Sequence, residues 1–444
     1  MPNKITMKLS LLTVFLSLCL FSASHSQSLY FPPIDNDNWE TISTDSLNWC
    51  PDSIASLQSY LENTNTKAFI VLKNGKIAVE WYFNNHTQDS LWYWASAGKT
   101  IAAFLTGICQ EAGKLNIEDK VSDYLGNGWT SAPLAKENLI KIRNLLDMTT
   151  GLDDSYTPSQ PPENCTDDTC LLYLADAGTR WAYHNAPYYL LQDLMAVAVG
   201  SNFNLITNYY LENLIGMNGF WFNHTYYSNC RSMARFGLLN LNKGIWDTDT
   251  VMHNQNYFED MIHPSQNMND SYGYLWWLNG QNTYMLPGSQ IVFQGNLIPY
   301  APADMYSALG KNDQKIYVVP SKNMVIVRMG ESADISLYAL SNYDNELWGR
   351  LSSMNCDITN QSSYPSDKIE VYPNPTHTNI TVKLNQDSEI HIELFDITGL
   401  QIFNKAYKTA TFVIDMSQYI SGTYILKIKN IKGDIVHTEK IIKE

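Results

Sequence analysis

Ser96-Ala97-Gly98-Lys99 places a hydroxyl and an amine three residues apart, at the start of an apolar run from Ile101 to Cys109 whose pattern predicts a helix. Residues at i and i+3 share a helical face, so the lysine amine can reach the serine hydroxyl. A hydroxyl is a poor nucleophile until a base takes its proton, and a lysine does so when desolvation or a neighbouring cation lowers its pKa. The helix N-terminus adds backbone N–H groups that can face an oxyanion. Further along, Gly178-Thr179-Arg180-Trp181-Ala182-Tyr183-His184-Asn185-Ala186 contains a Y-x-N. The Tyr183 phenol, near Lys99, suits a general base or proton relay, and the Asn185 amide suits holding Lys99 and a substrate carbonyl. Neither motif suffices alone: a chain this rich in Ser and Lys contains about one S-x-x-K by chance. Other catalytic signatures are absent, with no H-E-x-x-H, no G-x-S-x-G and no G-x-G-x-x-G. Gly98-Lys99-Thr100 imitates the end of a phosphate loop, but Tyr93 stands where that loop needs glycine.

Positioning such groups takes a large folded body. The chain has 444 residues, 45% hydrophobic and 16% charged, which excludes a disordered tail, a collagen or a coiled coil. With Lys+Arg at 29 against Asp+Glu at 44, the net charge is −15 and there is no basic face for nucleic acid. Lys4 and Lys8 precede an apolar run, Leu9 to Ala23, and then small and polar residues up to Gln27. That run is about 15 residues, short of a spanning helix, so residues 1–26 read as a signal peptide and the mature protein as exported, with no stable membrane span. Leu18 before Cys19 does not fit a lipoprotein cleavage box. Six cysteines remain, and an oxidising compartment permits disulfides among fifteen possible pairings. Cys165 and Cys170 bracket a short polar loop and form the easiest local pair, and Cys50 with Cys356 can tie the start of the main domain to its end. Cys109 sits mid-helix and reads as a buried free thiol.

Composition changes near residue 360. All 12 tryptophans and all seven cysteines lie before it, and Ser362 to Glu444 holds nine Lys against ten Asp or Glu, a net of −1. The polar stretch 359–367 reads as a linker, dividing a catalytic domain over 27–358 from a tail over 368–444. In the tail, Ile380 to Leu384, Ile390 to Phe395 and Tyr424 to Ile428 alternate in polarity between turn signals, which predicts a small all-β sandwich. A carbohydrate-binding or spacer module is one reading of it. The tail also resembles the C-terminal sorting domain of type IX secretion, through Val371-Tyr372-Pro373-Asn374-Pro375, Asp396-Ile397-Thr398-Gly399, Ser421-Gly422-Thr423-Tyr424 and the basic end Lys440-Ile441-Ile442-Lys443. That resemblance implies the secretion machinery as partner, export through the periplasm and across the outer membrane, and a released or surface-attached product.

Ser96-x-x-Lys99 and Tyr183-x-Asn185, in this order and spacing, resemble the serine β-lactamase and penicillin-binding-protein superfamily, in its class C β-lactamase, carboxypeptidase and esterase branch. Further segments fit: Gly113 to Leu125, Ile142 to Leu152, Ala234-Arg235-Phe236-Gly237-Leu238-Leu239 and Tyr272-Gly273-Tyr274-Leu275-Trp276-Trp277. The resemblance implies an α/β body of the β-lactamase/transpeptidase type, with an antiparallel sheet flanked by helices and an all-helical lobe between the serine segment and the Y-x-N. It implies catalytic Ser96, Lys99 and Tyr183, with no metal or organic cofactor. Phe69 to Ala78 reads as a hairpin with an Asn-Gly turn, and Tyr317 to Val319 and Val325 to Arg328 as late strands of the same sheet.

The family's third motif, K-T-G or H-x-G, departs here. Lys311 falls on the Lys or His, Asn312 on the Thr, Asp313 on the glycine, and Gln314 on the residue whose N–H completes the oxyanion hole with that of Ser96. Asn185, Lys311, Asn312 and Asp313 are thus the expected substrate-binding residues. Asp313 would narrow the approach and repel a substrate carboxylate, which favours neutral or cationic esters and amides, as small molecules or peptides, over penicillins. The expected reaction is acyl transfer through an acyl-enzyme on Ser96, with Tyr183 and Lys99 serving both half-reactions because no E-x-x-L-N follows the Y-x-N. A D-alanyl-D-alanine carboxypeptidase, a true β-lactamase, and a non-catalytic binding or sensor protein on the same fold are the alternatives. His184 points away if its neighbours point in, Trp276 and Trp277 read as core, Asp153-Asp154 as a loop cap, and Arg180 as structural.

Overall fold

The computed structural model describes residues 29–155, 164–333, 340–356, 369–384, 387, 389–396, 400–430 and 435–444. The expected signal peptide and linker lie outside these. The chain divides into two compact units, Met1–Cys356 and Asp357–Glu444.

In the first unit, helix α1 (Pro51–Asn63) leads into strands β1 (Thr66–Lys73) and β2 (Lys76–Tyr82), a short strand β3 (Trp92–Tyr93), and helix α2 (Lys99–Glu111). Helix α3 (Asn185–Val199) follows, then strands β4 (Gly219–Phe222) and β5 (Thr225–Ser228) and helix α4 (Cys230–Leu241). Strands β6 (Trp277–Leu278), β7 (Tyr306–Gly310), β8 (Gln314–Val319) and β9 (Met324–Gly330) lead to helix α5 (Asn342–Ser352). Six strands pair in the order β2-β1-β9-β8-β7-β6, so the late strands complete the sheet begun by the first hairpin. The β1–β2 turn has Asn74 at φ 52 and Gly75 at φ 80, the backbone a two-residue hairpin requires.

Strands β8 and β9 are buried at every position, because helices cover both faces. Alternate residues face opposite sides: Ile316 lies by α4, where a Cβ on Gly237 would stand 3.2 Å from its Cγ2, and Tyr317 packs edge-on against Trp348 of α5 at 5.6 Å. Fully buried strands read as continuous apolar runs, and Phe69-Ile70-Val71-Leu72 is such a run. The helical lobe differs from expectation in extent. Among the described residues between α2 and the Y-x-N the helices are short, including Ser122–Leu125, Leu134–Glu137 and Ile142–Leu146. The longest helix of the lobe, α3, begins at Asn185 itself, and α2 packs against it.

Both expected disulfides are present, Cys50–Cys356 and Cys165–Cys170, and Cys109 and Cys230 are free and buried. The second unit is strand-rich: Glu370–Tyr372, Asn379–Lys383 and Thr411–Asp415 form one antiparallel sheet, and Glu389–Asp396, Gln401–Lys408, Gly422–Asn430 and Ile435–Lys443 a second. Their alternating inward residues, including Ile380, Val382, Ile392, Leu394, Phe412 and Leu426, make one small core.

Candidate active site

Ser96 lies in the single 3₁₀ turn Ala95–Gly98 between β3 and α2. Ala95, directly before it, has φ 47, a left-handed conformation that costs a residue with a Cβ roughly 1–2 kcal/mol. The neighbourhood holds it there. Trp94 is fully buried, its N–H donates to Tyr226 O at 2.8 Å and its Nε1 to Ser228 Oγ at 2.8 Å, and Ala97 N donates to Trp94 O at 3.1 Å. Strand β5 thus pins the turn that presents the hydroxyl.

Lys99, at the first position of α2, is 3% exposed. Its Nζ donates to Ser96 Oγ at 2.8 Å and to Asn185 Oδ1 at 2.8 Å. The amine also lies 5.0 Å from the Tyr183 ring centroid and 4.6 Å from that of Tyr188. Four residues named from sequence, Ser96, Lys99, Tyr183 and Asn185, therefore meet in one place. Tyr188 is a fifth, missed by the reading, although i and i+3 from Asn185 share a face of α3. Tyr183 stacks on Trp277 at 5.9 Å and meets Tyr272 edge-on at 6.2 Å. Trp276 and Trp277 are core residues at 0% and 2% exposure, so Trp277 supports the phenol from behind.

His184 is buried, and burial pushes its imidazole down to about 4. Its Nδ1 has no hydrogen-bond partner among the described residues. The enclosed imidazole thus lies in sequence between two residues that meet Lys99. Arg180 pairs with Asp154 at 2.5 Å, a structural role for both.

The residues expected for the third motif are placed by their packing. The glycine pressed against the serine turn is Gly310, at the end of β7: a Cβ there would stand 2.4 Å from Trp94 O and 3.0 Å from Ala97 N. Gly310 thus ends β7 against the serine turn, and Lys311 is the residue that follows it. Asp313 is not in the approach. It is 2% exposed, 3.2 Å from Lys315 Nζ, and accepts from Ser341 Oγ and Ala333 N. Desolvation raises its carboxyl pKa, but Lys315, the Ala333 N–H and Arg328 outweigh it and hold the group below the ordinary carboxylate range. Asn312 donates to Tyr93 OH at 2.7 Å rather than standing free for substrate. Gln314 begins β8 directly across from Gly310, and its buried side chain donates to Asn312 O and Gly330 O.

The family model for beta-lactamase matches residues 58–334, and that for the secretion system C-terminal sorting domain matches residues 370–444. A Bacillus anthracis protein provisionally assigned as a 6-aminohexanoate-dimer hydrolase superposes with a TM-score of 0.56 at 17% identity, covering 72% of this chain and 89% of that one. A Bacteroides dorei protein provisionally assigned as a beta-lactamase gives 0.52 at 17%, over 68% and 97%. A penicillin-binding protein homologue from Caulobacter crescentus gives 0.52 at 12%, over 68% and 98%. At these identities the likeness is one of fold. Among curated proteins, an endo-acting ulvan lyase from Formosa agariphila is 22% identical over 106 residues, 24% of this chain and 20% of that protein. The chain thus spans about a fifth of that relative. Among the described residues, no helix is long and apolar enough to cross a membrane. The sorting domain indicates secretion or surface export by the type IX route. With a matching family model over most of its length and the family's fold, the chain belongs to the beta-lactamase family and carries a C-terminal secretion sorting domain.

Proposed function

We propose that the protein is an exported serine hydrolase that forms an acyl-enzyme on Ser96 and hydrolyses a neutral ester or amide. One observation carries the reading: a buried lysine amine lies 2.8 Å from a half-buried serine hydroxyl and 2.8 Å from Asn185 Oδ1, beneath a tyrosine ring. Lys99, with Tyr183 assisting, takes the Ser96 proton as Oγ attacks the carbonyl. The N–H groups of Ser96 and Lys311 stabilise the oxyanion, Lys311 replacing Gln314 in that role. Tyr183 and Lys99 return a proton to the leaving group, and water activated by the same pair releases the acid.

The substrate argument changes its basis. Asp313 gives no reason to reject a carboxylate, since Lys315 pairs with it away from the approach. The same fact removes the motive for a non-catalytic scaffold. Ala308, 1% exposed, stands on the strand where the family's motif carries Lys or His. Without that cation the strand offers a substrate carboxylate little, which supports esters and amides over penicillins and D-Ala-D-Ala peptides. Hydrolysis of p-nitrophenyl esters, anilides and a chromogenic cephalosporin, beside Ser96→Ala, tests this. Ester or anilide turnover lost in the variant is expected; cephalosporin turnover exceeding both would reverse the substrate assignment.

A further inference from the structure

A cluster of buried charges sits behind the Lys311–Asp313 turn and takes no part in the chemistry above. Asn312 and Asp313 both have φ 59, and two successive left-handed residues bearing side chains persist only where the surroundings over-determine them. Those surroundings are specific. Arg328, fully buried, donates through Nη1 to Asp313 O at 2.8 Å and Asn312 O at 3.3 Å, and through Nη2 to Thr64 O at 2.7 Å and Glu331 O at 3.0 Å. The Asp313 carboxylate accepts from Ser341 Oγ at 3.0 Å and Ala333 N at 2.9 Å, beside Lys315 Nζ at 3.2 Å. Lys315, at 0% exposure, donates to Asp344 Oδ2 at 2.9 Å, and Tyr317 OH donates to Asp344 Oδ1 at 2.6 Å. Asn312 Nδ2 donates to Tyr93 OH at 2.7 Å.

Two acids and two bases buried together are costly unless every partner is in place, and a glycine turn could close the same hairpin without them. What the cluster fixes is direction: with both turn carbonyls and the Asp313 carboxylate tied down, the peptide N–H of Lys311, next to Gly310, keeps one orientation. We infer that the Asp313–Lys315–Asp344–Arg328 cluster positions the Lys311 N–H as an oxyanion donor, with Asp313 as the positioning residue that couples the cluster to the turn. This rests on the acyl-enzyme reading above.

The test compares a matched pair of substrates, an oxo ester and its thiono counterpart, on the mature protein and on Asp313→Asn, Lys315→Met and Tyr93→Phe, with circular dichroism and melting curves alongside. Sulfur accepts hydrogen bonds weakly, so loss of an oxyanion donor slows the oxo ester far more. Asp313→Asn is expected to lower kcat on the oxo ester on the order of 10²-fold, with KM within about threefold and the thiono ester only slightly slowed. Tyr93→Phe removes a single bond at a half-buried residue, so it keeps the test open if the buried variants do not fold; a fall of several-fold with the same oxo preference is expected. Folded variants with unchanged kcat, or equal losses on both esters, would overturn the inference and leave the cluster merely structural. A parent protein inert to both esters and to an active-site serine probe overturns the acyl-enzyme reading, and this inference with it.

Discussion

Lys99 Nζ contacts Ser96 Oγ and Asn185 Oδ1 at 2.8 Å each, so the amine joins the serine hydroxyl to the second motif. Lys99→Ala is expected to cost on the order of 10³-fold in kcat for ester hydrolysis, with the fold retained by an otherwise apolar helix. Tyr183→Phe keeps the stack on Trp277 while deleting the hydroxyl, and a loss of about 10²-fold without a change in melting temperature is expected if the phenol relays protons. That these residues meet was legible in sequence through the order and spacing of the S-x-x-K and the Y-x-N, which together carried the family resemblance. The close approach of Gly310 to the serine turn was not legible, because it is a contact with backbone. Nothing in Ala308-Leu309-Gly310 distinguishes it in sequence from a packed strand end.

Elements hold these groups in register, and two titrations report on that packing. Asp147, at the C-terminal end of the short helix Ile142–Leu146, is buried, and desolvation pushes its carboxyl up to about 7. A folded-state pKa raised above the unfolded one gives stability that is full below the unfolded pKa and lost as pH rises through about 7. Asp147→Asn, which keeps an acceptor for the Thr149 hydroxyl, is therefore expected to be more stable than the parent by about 2 kcal/mol at pH 8 and near equal at pH 4. Urea unfolding at the two pH values decides it. His184 acts in the opposite sense: its depressed pKa contributes stability above the unfolded value near 6.5 that is lost as pH falls through about 4. At the end of β7, Gly310→Ala would set a methyl group 2.4 Å from Trp94 O, so loss of serine labelling is expected even in protein that still folds. The strands, the Asn74-Gly75 hairpin and the sandwich tail were legible because period and turn chemistry are local. The helical lobe runs past its expected bounds because its longest described helix starts at Asn185, inside the Y-x-N.

Across the whole chain, the Cys50–Cys356 bond joins residues 306 apart and ties the two ends of the first unit. A Cys50→Ser, Cys356→Ser variant is expected to lose roughly 2–5 kcal/mol of stability, read by denaturant unfolding under non-reducing conditions, with the rate of serine labelling at low temperature unchanged. The central claim, an activated Ser96, is tested most directly by intact mass after exposure to a fluorophosphonate, for the mature protein beside Ser96→Ala and Lys99→Ala. A single adduct on the parent chain, absent from Ser96→Ala and strongly slowed in Lys99→Ala, is the expected result. No adduct on folded parent protein, or an adduct that survives Ser96→Ala, would contradict it.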